Sequence, residues 1–481
     1  MNHKMTVYML GKILGIEGVV MFLPAIVALI YREDSYMHFV IPGVILILVH
    51  ILFGRKKPKN TKLYGRDGLV IVALSWLLWS LIGAIPFYTS GAIPQFIDAF
   101  FETVSGFTTT GSTILTDIEA LPKGMAFWRS LTHWIGGMGV LVFVMVITSL
   151  ENDRSMHLMK AEMPGPEIEK LVPKARTTAQ ILYAMYFVLT FAEVIFLLFG
   201  GMNLYDSILH AFSTAGTGGF SNRNASIAYY DSAYIDGVIT VFMILFGINF
   251  NMYFLVILKR FRNIWENEEV KAYFGIILTA IVMITINVSN YYGGFLKAFR
   301  YASFQVSSII TTTGFITADF NQWPEFSKAI LLLLIMIGAC AGSTGGGMKV
   351  SRILILMKHA KREIKKLIHP KSVSIITLNK KRLQDETVNG VIGYTVIYFL
   401  IMVVSILIVS LNNFDFATTF SSVLTTLNNT GPGIADVGPV ENFSSFSVLS
   451  KLVFCFDMLA GRLELFPFLM LMAPSVWRKK F

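Results

Sequence analysis

Four short segments of this chain place glycine and uncharged oxygen where a bare cation can be held. They are Thr108-Thr109-Thr110-Gly111, Gly216-Thr217-Gly218-Gly219, Thr311-Thr312-Thr313-Gly314 and Asn428-Asn429-Thr430-Gly431. Stripping water from an alkali cation takes a ring of oxygen atoms, which filters build from backbone carbonyls. Glycine lets a neighbouring carbonyl turn inward because it visits positive φ without steric penalty. Threonine adds a hydroxyl oxygen without charge. The predicted ring is therefore Thr109, Thr110 and Gly111, then Thr217, Gly218 and Gly219, then Thr312, Thr313 and Gly314, then Asn429, Thr430 and Gly431. A single turn of this kind is an ordinary polar turn. Four in register predict one ion site.

A second glycine-rich stretch follows the apolar run Ala329 to Ala341. It reads Gly342, Ser343, Thr344, Gly345, Gly346, Gly347, Met348 and Lys349. Each glycine costs a helix about 1 kcal/mol relative to alanine. A long helix is thus predicted to break here, at mid-membrane beneath the ring, leaving a loop that obstructs the path and moves for conduction. Arg462 lies in the apolar run Met458 to Phe466. A charge that deep is costly and is functional or paired. Its candidate partners are Glu464 and the carbonyls of the 342–348 loop, and it is equally a candidate electrostatic barrier to cations. Asn249 and Asn251 are open to two readings, facing the cavity or hydrogen-bonding between helices. His133 and Trp134 read as packing residues.

The elements that must position these groups repeat. From about residue 67 the chain runs as long helix, short helix, Thr/Gly turn, long helix, four times over. The predicted helices are 67–88, 95–107 and 124–150; 178–200, 204–215 and 232–262; 270–291, 297–310 and 326–358; and 386–411, 416–428 and 446–477. The windows Asp98–Gly111, Asp206–Gly219, Tyr301–Gly314 and Thr418–Gly431 align without gaps and end on the turn glycine. Such self-similarity marks a repeat architecture. The short helices hold roughly 12 residues where about 20 are needed to cross the hydrocarbon, so they are re-entrant. Irregular backbone at membrane depth is tolerated only when buried in protein or lining water. The expected organisation is an accessory helix pair over 1–60 (helices near 7–30 and 36–54) and pore repeats over 61–150, 151–263, 264–360 and 361–481, the third carrying the mid-membrane loop.

Composition agrees. The chain is 54% hydrophobic and 15% charged, against about 25% charged in soluble domains, and its mean hydropathy is +0.62. The apolar runs are continuous rather than alternating, which excludes a β-barrel. The predicted class is an all-α helical membrane protein with four helix–pore loop–helix units around a pseudo-fourfold pore. The net charge of +10 comes from clusters at 55–66, 154–176, 259–271, 358–382 and 478–480. The positive-inside rule puts these in the cytoplasm, so the basic balance needs no nucleic acid. Ten spans with both termini inside then place all four turns outside. Cys340 and Cys455 fall in apolar helices, which speaks against a disulfide. No catalytic constellation stands out, and no enzyme is expected.

These residues resemble the Trk/Ktr/HKT superfamily of potassium transporters, of the TrkH type. The resemblance is carried by TVSGFTTTGST (103–113), AFSTAGTGGFS (211–221), GACAGSTGGGMKV (338–350), NNTGPG (428–433) and MLAGRLELF (458–466). It implies potassium as the transported ion at the twelve ring residues, with no organic cofactor in this chain. It implies a gating loop at 342–348 with Arg462 as its neighbour, a homodimer in the bacterial cytoplasmic membrane, and a cytoplasmic ring of nucleotide-binding regulatory subunits of the TrkA type. The 358–382 segment is the expected docking surface. The turns are unequal, with Gly218 in the second and Asn428-Asn429 in the fourth, which implies a moderate preference for potassium with rubidium also passing. A coupled transporter moving potassium with sodium or protons is the alternative, with Glu102, Glu193 and Glu464 as its only candidate carboxylates. A voltage-gated channel is excluded, since no helix carries arginine at every third position.

Overall fold

A computed structural model describes residues 2–60, 63–139, 175–371 and 374–477. The second half of the predicted helix 124–150, nearly all of the basic cluster 154–176 and the cluster 478–480 lie outside the described residues. Among the described residues six helices are long and apolar enough to cross a membrane, seven if one bent pair counts as a single span. The one sheet among the described residues is a hairpin with two residues per strand, Thr377–Leu378 against Lys381–Arg382.

The accessory pair is His3–Ile30, stepped at Met21, and Asp34–Gly54. The two helices touch backbone to backbone: a side chain on Gly18 would meet the Gly43 carbonyl oxygen at 2.7 Å, and one on Gly43 would meet Gly18 O at 2.9 Å. Small residues give this close approach in the absence of a hydrophobic drive between helices. The pair docks on the first unit. Trp79 Nε1 donates to Ile13 O at 3.3 Å, and the Glu33 carboxylate accepts from the Lys123 N–H at 2.5 Å and from Gly124 N–H at 3.0 Å.

The pore units follow the predicted order. Their opening helices are Gly65–Thr89, Ala175–Phe199, Glu268–Val288 and Asp385–Val409. Their short helices are Phe96–Phe107, Leu204–Gly216, Phe295–Ile310 and Phe416–Asn428. Two of these start on side-chain caps: Asn203 accepts from Asp206 N–H, and Asp415 accepts from Ala417 and Thr418 N–H. Each satisfies donors that a helix start leaves orphaned.

The closing helices correct the sequence expectation. Only the third was predicted to break, yet none of the four continues straight. The first, Lys123–Gly137, ends at a glycine, and Gly139 has φ 81. The second was expected whole over 232–262. It runs Ala233–Phe246 and then Phe250–Ile257, bent by 92° at Gly247–Asn249. The third breaks earlier than predicted: Glu325–Ile337 ends at Gly338, and the helix resumes only at Val350. The fourth was expected whole over 446–477. It stops at Arg462, because Glu464 and Leu465 take φ 56 and 66, and restarts at Phe466. There the Leu465 N–H donates back to Ala460 O at 2.7 Å and the Glu464 N–H to Gly461 O at 3.2 Å, a Schellman stop without glycine.

Candidate ion pathway

Each short helix ends the same way. The residue two before the turn glycine is left-handed in all four units: Thr109 (φ 55), Thr217 (φ 55), Thr312 (φ 58) and Asn429 (φ 55). Its N–H reaches back to Gly106, Thr214, Ile309 or Thr426, and the next N–H to Ser105, Ser213, Ser308 or Thr425. That is a Schellman cap repeated four times. A β-branched residue at positive φ is a genuine outlier, and such positions cost of order 1–3 kcal/mol each. Three of the four are threonine. Only the fourth unit uses asparagine, which tolerates this region.

The turn glycines, Gly111, Gly219, Gly314 and Gly431, then take φ 85, 77, 81 and 90. Their packing closes a ring. A side chain on Gly111 would run into the Gly218 carbonyl oxygen, one on Gly219 into Thr313 O, one on Gly314 into Thr430 O, and one on Gly431 would sit 2.8 Å from Thr110 O. Each unit leans on the carbonyl of the next, and the fourth returns to the first. Thr110, Gly218, Thr313 and Thr430 are buried. Among the described residues their four carbonyls accept no hydrogen bond. Buried carbonyls are otherwise almost always paired, so this ring offers oxygen to an occupant. The helix C-termini behind it add partial negative charge.

Hydroxyls and one amide stiffen the ring. Thr108 and Thr110 share a hydrogen bond of 2.8 Å between Oγ1 atoms, as do Thr311 and Thr313. Asn429 Nδ2 donates across units to Thr110 Oγ1 at 2.9 Å and to Met458 O at 2.9 Å.

Behind the ring, each short helix braces the strand that leaves its own turn. In the first unit Glu102 accepts from Thr113 Oγ1 and from the Ile114 N–H at 3.0 Å. It is held by a buried ion pair to Arg129 at 2.6 Å. Arg129 in turn donates to Ser221 O at 2.9 Å and lies 3.5 Å over the Phe220 ring. His210 Nε2 pairs with Ser221 Oγ at 2.9 Å in the second unit. The Gln305 amide oxygen, in the orientation that satisfies both ends, accepts from Thr317 N–H at 2.9 Å in the third. Ser421 Oγ exchanges hydrogen bonds with the Ile434 backbone in the fourth. His133 stacks on Phe220 at 4.0 Å, and Trp134 Nε1 donates to Thr190 Oγ1, so both pack as expected.

One cavity is lined by all four turn glycines together with Arg129, Asn224 and Glu441. The Asn224 amide donates to Asp117 and holds that carboxyl below the usual range. A second cavity is lined by Gly345, Gly346, Lys349, Gly461 and Arg462.

The break loop, Gly338–Lys349, fills the space beneath the ring. The Gly346 N–H donates to Thr312 Oγ1 at 2.6 Å and the Gly347 N–H to Asn428 O at 3.0 Å. The Cys340 N–H reaches Gly247 O and the Phe250 N–H reaches Gly342 O, at 3.1 and 3.0 Å. Lys349 is buried, left-handed (φ 77) and donates from Nζ to Gly345 O. Met348 is buried and its N–H returns to Met336 O.

Of the two partners predicted for Arg462, the structure gives it carbonyls. It donates to Thr344 O at 2.7 Å in the loop, and to Gly136 O and Gly137 O at 2.6 and 2.7 Å at the end of the helix Lys123–Gly137. Glu464 pairs instead with Arg352. Asn249 caps the bent-off helix through Asn251 N–H and faces Gly342, which neither reading of it anticipated. Sequence reasoning also missed Glu269, whose buried carboxylate accepts from the Ala341 amide in the loop and the Ser351 amide at the start of the helix that follows it. Its only signal was an acidic residue on the edge of an apolar helix.

The TrkH family, described as cation transport protein, matches residues 35–479. The chain is 37% identical over 485 residues to the Trk system potassium uptake protein TrkH of Salmonella typhimurium, covering all of both chains. The Trk system potassium uptake protein TrkG of Escherichia coli is 32% identical over 485 residues, covering 99% of each chain. The crystal structure of the potassium transporter TrkH from Vibrio parahaemolyticus superposes with a TM-score of 0.89 at 34% identity, covering 99% of this chain and all of that one. With the family match over residues 35–479, the full-length identity and the shared fold together, the chain belongs to the TrkH family of cation transport proteins.

Proposed function

We propose that this protein takes up potassium across the cytoplasmic membrane through a gated, channel-like pore. The observation that carries the reading is the closed ring of four buried carbonyls, at Thr110, Gly218, Thr313 and Thr430, that accept nothing from the described protein. Thr109 to Gly111, Thr217 to Gly219, Thr312 to Gly314 and Asn429 to Gly431 form the selectivity filter. Gly342 to Lys349 is the gate, and Arg462 is the latch that ties it to the first unit. The four filter repeats occupy 61–150, 151–263, 264–360 and 361–481, behind an accessory pair at 1–60. Both termini are cytoplasmic. A homodimer served by nucleotide-binding subunits of the TrkA type follows from the family resemblance, and the basic segment 358–382 is the surface offered to them.

The experiment is rubidium flux into liposomes holding the purified protein, with potassium, sodium and proton gradients imposed in turn. Flux that follows only rubidium's own electrochemical gradient is expected. Uphill flux driven by another ion overturns the channel reading in favour of coupled transport. Of the three carboxylates named for coupling, Glu102 and Glu464 are committed to Arg129 and Arg352. Glu193, buried beside Thr214, is the remaining candidate.

A further inference from the structure

The stretch where the second and third units meet carries Glu266, Glu268 and Glu269; the first two are held by one hairpin and the third by the break loop and the helix that follows it. Glu269 is buried. A single oxygen, Oε1, accepts from the Ala341 N–H at 2.7 Å and from the Ser351 N–H at 3.1 Å. The first amide stands in the break loop and the second in the opening turn of the helix Val350–Ile368 that leaves it, so one carboxylate oxygen ties the loop to that helix start.

Glu268 reaches the other way. Its N–H donates to Asn379 Oδ1 at 2.7 Å, its Oε1 accepts from the Asn379 N–H at 3.0 Å, and its Oε2 pairs with Lys358 Nζ. Asn379 and Lys380 are the corner of the Thr377–Arg382 hairpin, both at positive φ (52 and 63), as a tight type I′ turn requires. Lys380 also pairs with Glu266 at 2.9 Å. The hairpin is firmly seated. Ile376 and Leu383, at its base, are buried with Ile355, Val388 and Val391, against the helix that leaves the loop and the helix that opens the fourth unit.

We infer that Glu268 and Glu269 form a rigid two-residue linkage through which displacement of the Thr377–Arg382 hairpin reaches the break loop. Glu269 is the positioning residue for the closed loop, and the hairpin is the input surface. Adjacent residues in the first turn of one helix cannot shift independently, so pulling Glu268 with the hairpin draws Glu269 off Ala341 and Ser351. The hairpin presents exposed Lys380, Lys381 and Arg382, which fits an acidic face on a cytoplasmic protein partner. The inference rests on the reading of the loop as a gate.

The test uses the full chain in liposomes, with hydrogen exchange of the Ala341–Ser351 amides and rubidium flux as separate readouts. Asn379→Gly keeps the turn, since glycine suits its φ, and deletes the side-chain acceptor of the Glu268 N–H; combining it with Glu268→Ala also removes the carboxylate's bonds to the Asn379 N–H and Lys358. Neither residue touches the loop. The expected result is loop exchange faster by at least about tenfold, the loss of one charge-assisted hydrogen bond, with flux raised. Glu269→Ala raises both further, and Glu269→Gln, which keeps a neutral acceptor, raises them less. Loop exchange unchanged in both the single Asn379→Gly and the double variant overturns the linkage. Arg462→Ala separates the two claims. If it raises flux while the hairpin variants leave loop exchange unchanged, the gate stands and the linkage falls. If it leaves flux unchanged while the hairpin variants speed loop exchange, the linkage stands and the gate reading falls.

Discussion

The ring and the loop beneath it are both glycine-rich backbone next to a short or broken helix, but they are held in opposite ways. Each ring turn is shaped by the helix that precedes it, through the same two backbone hydrogen bonds to residues three and five positions back. The loop at Gly338–Lys349 takes its shape from elsewhere: Gly247 and Phe250 in the second unit, Glu269 and Thr312 in the third, Asn428 and Arg462 in the fourth. A structure specified locally is rigid and hard to shift one contact at a time. A structure specified by distant groups, backbone and side chain alike, moves when any of them moves. That is the division of labour expected of a filter and a gate.

The comparison breaks first at the ring. Gly111→Leu places a side chain on the Gly218 carbonyl, and rubidium flux is expected to fall at least about a hundredfold, since the ring has no slack to absorb it. Alanine at Gly431, whose nearest neighbour is Thr110 O at 2.8 Å, is the mildest of the four alanine changes; the order of flux across them checks the ring's closure. Wild-type flux and selectivity in Gly111→Leu would falsify the filter assignment.

The brace behind the ring comes next. Glu102→Ala strands the buried Arg129 charge and is expected to cost about 3–5 kcal/mol, read as a lowered unfolding midpoint in detergent. It also loosens the strand at Thr113 and Ile114, so rubidium-over-sodium preference narrows. An unfolding midpoint within a degree or so of wild type would remove the brace from the account. Smallest is the gate latch. Arg462→Ala frees Thr344 O, Gly136 O and Gly137 O, and flux rises several-fold with ion preference unchanged. A change in preference rather than rate would make Arg462 part of the filter.

The same contrast explains what the sequence made legible. The four turns stood out because their geometry is written in consecutive residues, as was the glycine run at 342–347. The stop at Glu464–Leu465 was invisible, because two residues without special backbone preference take left-handed angles under the restraint of Ala460 and Gly461. The 92° bend at Gly247–Asn249 had one glycine and a capping asparagine as its signal, which also fits a helix packing through small residues. Glu269 was illegible in principle: its partners lie 72 and 82 residues away. The braces were hidden for another reason. Glu102, His210, Gln305 and Ser421 do one job with four chemistries, so no repeated letter marks them.

The ring's closure has a consequence for how the protein is made. Its last joint pairs residues at opposite ends of the pore region: Ser112 Oγ donates to Gly431 O at 3.3 Å, and Asn429 to Thr110 Oγ1, each across 319 positions. The first three units therefore cannot close the ring until the fourth is made, and a chain stopped before residue 428 would hold three repeats and no closed ring. On the proposed reading, selectivity would arrive only when residues 429–431 meet residues 110–112.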